Sequence, residues 1–186
     1  MNNITENTII KASEGSMEDF ERIYKEYSGF VYNVAFRVVN NMDEAQEVTQ
    51  EVFLIVYRKL KSFQFKSSFK TWIYRITVNL AINYAKKESK EQRVAFAYDE
   101  EYECDKTVDT LGEKIERKQQ GKIITTLLKA LNPEQRACIV LRSIEGLSYQ
   151  EIAEVLCINV NTVRSRLRRG REKLVALRKE MVKNEM

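Results

Sequence analysis

Residues Leu147–Leu174 read "LSYQEIAEVLCINVNTVRSRLRRGREKL". Ser148 followed three residues later by Glu151 is a capping-box pattern, so a helix begins there. Ile152, Ala153 and Leu156 fall on its inner side, and "CIN" then makes a turn of three residues. Asn159 can cap a following helix in which Val160, Val163, Leu167, Leu174 and Leu177 share one face. A short helix, a tight turn and a second helix make a helix-turn-helix. The second helix carries Arg164, Arg166, Arg168, Arg169, Arg171 and Lys173, with Glu172 the only acid among them. Such a helix enters the major groove with its N-terminal half against base edges. Arginine reads guanine and also neutralises phosphate. A solvated basic helix is the plainer alternative, and the cap and turn ahead of it favour DNA.

Upstream, Asn132 can cap a helix with Pro133 at its first position and Gln135 three residues after the cap. Ile139, Val140 and Ile144 are candidates for its buried side, and Gly146 stops it. Helical signals begin again at the other end of the chain. Ser16 and Asp19 form a capping-box pattern, followed by Phe20, Ile23, Tyr24, Tyr27, Val31, Val34 and Val38 at helical spacing. Asp43, with Gln46 three residues on, is the expected cap of a second helix with the seam Ala45, Val48, Val52, Phe53, Val56 and Leu60. "KSFQFKSSFK" reads as a loop, and a helix with Trp72, Ile73, Ile76 and Leu80 at core spacing follows. From Glu88 to about Lys118 the chain turns acidic and loses any apolar stripe, which predicts a solvated linker, with a segment that tracks a groove on a partner as the sharper alternative. No stretch alternates as a strand, and the chain has only one proline and six glycines, so the fold class is all-α.

The totals exclude several functions. A chain of 186 residues suffices for one ordinary domain or two small ones. The net charge of +4 is modest, so its distribution matters more than its sum. The three cysteines, Cys104, Cys138 and Cys157, have no CxxC spacing, and there is no histidine. A zinc site or a disulfide framework is therefore not expected, and Cys138 and Cys157 read as buried thiols. The commonest general base is missing as well. No membrane-length apolar run and no secretory leader pattern occur, which predicts a cytoplasmic location.

Three segments in register carry a resemblance: "DEAQEVTQEVFLIVYRKL" (Asp43–Leu60), "SSFKTWIYRITVN" (Ser67–Asn79) and the helix-turn-helix stretch. Together they resemble the two-domain extracytoplasmic-function (ECF) class of bacterial sigma factors, over about Ile9 to Leu177. The resemblance implies two small helical domains joined by a flexible linker. A region-two domain would occupy residues 8–88, an acidic linker 89–114, and a region-four helix-turn-helix domain 115–181. It implies a transcription initiation factor without catalytic activity or cofactor. Its partners would be core RNA polymerase, through the β′ and β subunits, promoter DNA, and an anti-sigma factor that is often held at the membrane.

The resemblance also assigns residues. Glu47, Gln50, Glu51 and Phe53 match the grip on the β′ coiled coil. The Trp72 segment matches the part that opens the minus-ten element, where single-stranded bases are held by stacking and a positive groove. Phe63, Lys66, Ser67 and Ser68 would form a base pocket; Asn79 and Asn83, one helical turn apart, would face the same DNA; Lys70, Arg75, Lys86 and Lys87 would hold phosphate. Trp72, Ile73 and Ile76 themselves read as core. For the minus-thirty-five duplex, Arg164, Ser165, Arg168 and Arg169 match base readers, and Asn161, Thr162, Arg166 and Arg171 match phosphate contacts. Asn83 stands where aspartate is common, and Cys157 and Asn161 where glycine is frequent. A left-handed Cys157 would cost roughly 1 kcal/mol. Two other classes compete: a stand-alone helix-turn-helix regulator, which has no need of the Trp72 segment, and a metal-dependent nuclease built on Asp99, Glu100 and Glu103.

Overall fold

The computed structural model describes residues 4–95 and 123–184, and all regular structure among them is helical. Helix α1 (Glu6–Ser13) is capped by Thr5, whose hydroxyl accepts from the Thr8 N–H. Helix α2 (Met17–Val39) starts at Ser16, which accepts from the Asp19 N–H at 3.3 Å, and ends at Asn40 in a left-handed conformation. The next cap is Asn41 and not Asp43. Extended at φ −140°, Asn41 accepts from the N–H groups of Asp43 and Glu44, so Asp43 falls in the first turn of α3 (Met42–Lys59). An acid there complements the helix dipole. A 3-10 turn (Leu60–Ser62) leads to the loop, and α4 (Phe69–Ala95) follows. Helix α4 continues seven residues past the expected domain boundary at 88. Residues 96–114 of the expected linker, with Asp99, Glu100, Glu103 and Cys104, lie outside the described residues.

Valines on α2 and α3 meet β-branched residues of α4 in the centre of this unit. Val31, Val34, Val38, Val48, Val52, Val56, Ile73 and Val78 are fully buried. Rigid β-branched side chains lose little freedom on packing, which suits a close three-helix contact.

The second unit comprises α5 (residues 123–129), α6 (Pro133–Ile139), α7 (Tyr149–Leu156) and α8 (Val160–Asn184). Asn132 caps α6 through the Gln135 N–H, as its sequence predicts. Helix α6 then widens into a π-helical turn, Val140–Ile144. The wider winding carries Ile144 out of the apolar stripe, leaving it 42% exposed where burial was expected. Gly146, at φ +76°, ends the segment. Both bonds of the Ser148–Glu151 capping box form, at 3.2 and 2.7 Å. Cys157 takes the left-handed turn position (φ 53°, ψ 45°), and its thiol is exposed, contrary to the expected burial, whereas Cys138 is fully buried. Gly170 lets α8 approach α6: a Cβ there would lie 3.2 Å from Ile139 Cγ1.

The two units pack against each other, α6 on α2 and α4, and α7 on α4, and their buried side chains form one cluster.

Candidate polymerase and nucleic-acid interfaces

Helix α8 divides along its length. Val163 and Leu167 face inward, while Asn161, Arg164, Arg168, Arg169 and Arg171 are exposed. Asn159 Oδ1 accepts from the Asn161 N–H, so the helix start is fixed by its cap. Arg164 is steadied by Asn161 Oδ1 at 3.0 Å and Arg168 by Glu172 at 3.0 Å. Ser165 returns its hydroxyl to the Thr162 carbonyl. Arg166 differs from the other arginines. It is half-buried and turns toward Cys138, whose thiol is pushed up to about 11 by burial, with the Arg166 charge opposing. Of the residues matched to the minus-thirty-five element, the structure therefore places Arg164, Arg168, Arg169, Asn161 and Arg171 on one accessible side and Arg166 at its inner edge.

The loop before α4 is pinned by rings. Phe63 packs on Phe65, Phe69 and Trp72 with centroids 4.7, 5.4 and 5.1 Å apart, and Phe69 lies 5.6 Å from Tyr27. Phe69 and Ile73 are buried, whereas Trp72 and Ile76 are only half-buried, at the edge of the core and not inside it. Lys66 and Ser67 are exposed at the tip, after Phe65 in a left-handed conformation. Ser68 serves as the cap of α4: it accepts from the Thr71 N–H at 3.1 Å and shares a 2.7 Å bond with the Thr71 hydroxyl. Lys70 sits over the Phe30 ring at 5.0 Å. Along α4, Arg75, Asn83, Lys86 and Lys87 are exposed. Asn79 is half-buried and already bonded, to the carbonyls of Arg75 (2.9 Å) and Val155 (3.1 Å). Lys86 pairs with Glu134 at 2.7 Å. Burial alone would raise the Glu134 carboxyl; the Lys86 hydrogen bond, its own backbone N–H and the Lys86 and Arg166 charges together hold it below its ordinary value.

On α3, Glu47 and Gln50 are exposed and Glu51 half-exposed. Glu51 accepts from the Tyr84 hydroxyl at 2.8 Å; that bond, with burial and the Glu51 charge, pushes the phenol up to about 12. Phe53 departs from its expected place on this surface. It is 5% exposed and packs edge-on against Tyr24 at 4.7 Å, because it completes the α2–α3 seam. The exposed large apolar residues of α3 are Met42, Leu54 and Tyr57, at 63%, 56% and 48%, and Tyr57 packs edge-on against Phe20. Their sequence signal was weak: large apolar residues standing off the seam.

No local sequence pattern marks the contacts between the units. Arg37 donates to Glu145 at 2.6 Å, and Asn40 to the Thr125 carbonyl at 3.2 Å. Arg136, only 6% exposed, donates to the carbonyls of Val38 and Val39 at the end of α2 and to those of Lys129 and Leu131 beside α5. No helix among the described residues is long and apolar enough to cross a membrane.

Residues 23–91 match the family model of Sigma-70 region 2, and residues 121–174 that of Sigma-70, region 4. The chain is 32% identical over 168 residues to the ECF RNA polymerase sigma-E factor of Haemophilus influenzae, covering 87% of this chain and 88% of that one. It is 31% identical over 179 residues to the ECF RNA polymerase sigma factor SigW of Bacillus subtilis, covering 93% and 94%. The ECF RNA polymerase sigma factor SigE of Mycolicibacterium smegmatis is 33% identical over 162 residues, 87% of this chain, and the chain spans 62% of that relative's length. In fold, the chain is similar to the sigma factor RpoE in complex with the anti-sigma factor NepR from Bartonella quintana, with a TM-score of 0.64, 21% identity and coverage of 88% and 98%. Both halves of a sigma factor, in the order the helices display them, place this chain in the family of ECF RNA polymerase sigma factors.

Proposed function

We propose that the chain binds core RNA polymerase through α3 and directs it to promoters by reading two DNA elements with its two units. The exposed arginine side of α8 reads the minus-thirty-five element as duplex, with Arg164, Arg168 and Arg169 toward base edges and Asn161 and Arg171 toward phosphate. The loop with Lys66 and Ser67 and the α4 residues Lys70, Arg75, Asn79, Asn83, Lys86 and Lys87 hold the minus-ten element once it is strand-separated. Glu47, Gln50 and Glu51 meet basic groups of the β′ subunit, with Leu54 and Tyr57 supplying the apolar part of that contact. The chain performs no catalysis itself and acts in the cytoplasm, where an anti-sigma factor restrains it.

One observation carries this reading: the chain displays two basic surfaces of different character. Helix α8 is arginine-rich behind a capped turn, as a duplex reader needs. Helix α4 combines amides and cations beside an aromatic-pinned loop, as unpaired bases need. The test is transcription in vitro with purified core polymerase and mapping of start sites on genomic DNA. In that system Asn79→Ala should spare closed-complex binding and reduce permanganate reactivity of melted thymines. A template with a pre-melted minus-ten bubble should relieve the defect. If Asn79→Ala lowers duplex affinity only, and pre-melting changes nothing, α4 is not a single-strand reader.

A further inference from the structure

Among the described residues, three that are not glycine take a left-handed backbone: Asn40, Phe65 and Cys157. Asn40 ends α2 and Cys157 ends α7, so a helix stop accounts for both. Phe65 ends no helix. It stands at φ 54° in the loop between the 3-10 turn and α4. For a bulky side chain this conformation is an outlier and destabilises the fold. Packing offsets little of that, because Phe65 is 42% exposed and Phe63 is its one ring partner among the described residues. The support beneath it is nonetheless firm. Phe63, 4.7 Å away, rests in turn on Trp72 at 5.1 Å and on the buried Phe69 at 5.4 Å. A strained backbone therefore presents an aromatic ring at the loop tip, on an aromatic base, beside the exposed Lys66 and Ser67.

We propose that Phe65 is a stacking platform for one unpaired base of the minus-ten strand. The proposal rests on the reading of this loop and of α4 given above. A nucleobase is flat and apolar on its faces, so it can cover the ring that the fold leaves exposed, and each of the four bases offers such a face. Lys66 follows in the chain, exposed and without an ion pair among the described residues, and its ammonium suits the phosphate beside a stacked base. The division of labour is then chemical. Stacking on Phe65 holds the melted strand whatever the base, while the amides of Asn79 and Asn83 supply the choice between bases.

The test uses the full chain assembled with core polymerase, and a fluorescent template from a mapped promoter whose minus-ten element is pre-melted by mismatches. Phe65→Gly removes the ring and suits a left-handed backbone, so the loop keeps its path. It should weaken binding to the bubble by about five- to a hundredfold, the range for one lost base stack. Phe65→Tyr keeps the ring and should bind as the wild type does. Abasic sites are then placed one at a time across the bubble. At one position the wild-type chain should fall to the level of Phe65→Gly, and Phe65→Gly should lose nothing further there. Unchanged bubble binding by Phe65→Gly, or a loss in Phe65→Tyr as large as in Phe65→Gly, would overturn the proposal. So would losses that add at every abasic position, for then the ring touches no base. Reduced co-purification of Phe65→Gly with core polymerase would overturn it too, because the partner of the ring would be protein. The reading of α4 has a separate readout, the permanganate defect of Asn79→Ala on duplex templates. If that defect appears while Phe65→Gly binds the bubble normally, only the stack fails. If both effects are absent, the reading of α4 fails with it.

Discussion

Replacing Arg136 should unsettle the ends of two helices at once. Its guanidinium is buried and donates to four backbone carbonyls, at 2.8 Å to Val38, 3.1 Å to Val39, 3.3 Å to Lys129 and 3.1 Å to Leu131. Arg136→Met keeps the length and apolar contact of the stem and removes every donor. A hydrogen bond from a charged donor contributes about 1.5–3 kcal/mol, so four at the low end sum to about 6 kcal/mol. All four share one cation, and water can reach the outer carbonyls once the head group is gone, which lowers the expected loss to about 3–4 kcal/mol. Replacing a buried ion pair by apolar groups is often harmless because both partners are replaced. Here the acceptors are main chain and stay behind unpaired. In a chain of this size the loss corresponds to a fall in Tm of about 6–16 °C. Urea denaturation followed by circular dichroism measures it directly. Arg136→Lys should recover less than half, since one ammonium cannot bridge the ends of α2 and α5 as a planar fork does. A loss below about 1 kcal/mol with an unchanged denaturant slope would refute the reasoning, for it would mean that water satisfies these carbonyls as well as the arginine does.

Other outcomes follow from single positions. Cys157→Gly should stabilise by about 0.5–1 kcal/mol, because residue 157 is left-handed and glycine has no Cβ to strain there; thermal unfolding measures it. Arg169→Ala should weaken closed-complex binding of the holoenzyme by about 1–3 kcal/mol if it spans a guanine, and the deficit should shrink on a template already mismatched in the minus-thirty-five element. Gln50→Lys should reduce co-purification with core polymerase while the circular dichroism stays helical, and unchanged recovery would remove α3 from that contact. Acid should loosen the Glu134–Lys86 contact. The folded carboxyl is held below its ordinary value, so its contribution is complete above the ordinary carboxylate range and is lost as pH falls through the lowered one. Thermal unfolding should show a small loss of stability there, and Glu134→Gln should remove that acid step.

The helix-turn-helix was legible because its determinants are local. A capping box, a turn residue and an asparagine cap each act within four positions, and all three form as their spacing predicts. The cap of α3 was misplaced by two residues because Asn41 and Asp43 are both good caps, and only backbone geometry chooses between them. Phe53 was ambiguous by construction: it follows Val52 on the seam and Gln50 and Glu51 on the open side, and Tyr24 on another helix decides its place. The π turn after Ile139 has no local signature, so Ile144 could not be placed. Least legible were the ties between units. Arg136 reaches a carbonyl 98 positions away, and nothing near it in the sequence distinguishes it from a surface arginine.

The Tyr84–Glu51 bond gives the protein a toll at the edge proposed to face polymerase. A basic partner that seeks the Glu51 carboxylate finds it already holding a hydroxyl at 2.8 Å. Taking it costs the existing bond, and the freed phenol belongs to the very helix that carries Asn79 and Asn83. Load placed on α3 thus arrives on α4 by one short strut, a turn or so from the amides that would meet melted DNA. Shortening that strut to phenylalanine would spare the partner the toll and remove the polar link, while α3 and α4 stay packed through their buried seam.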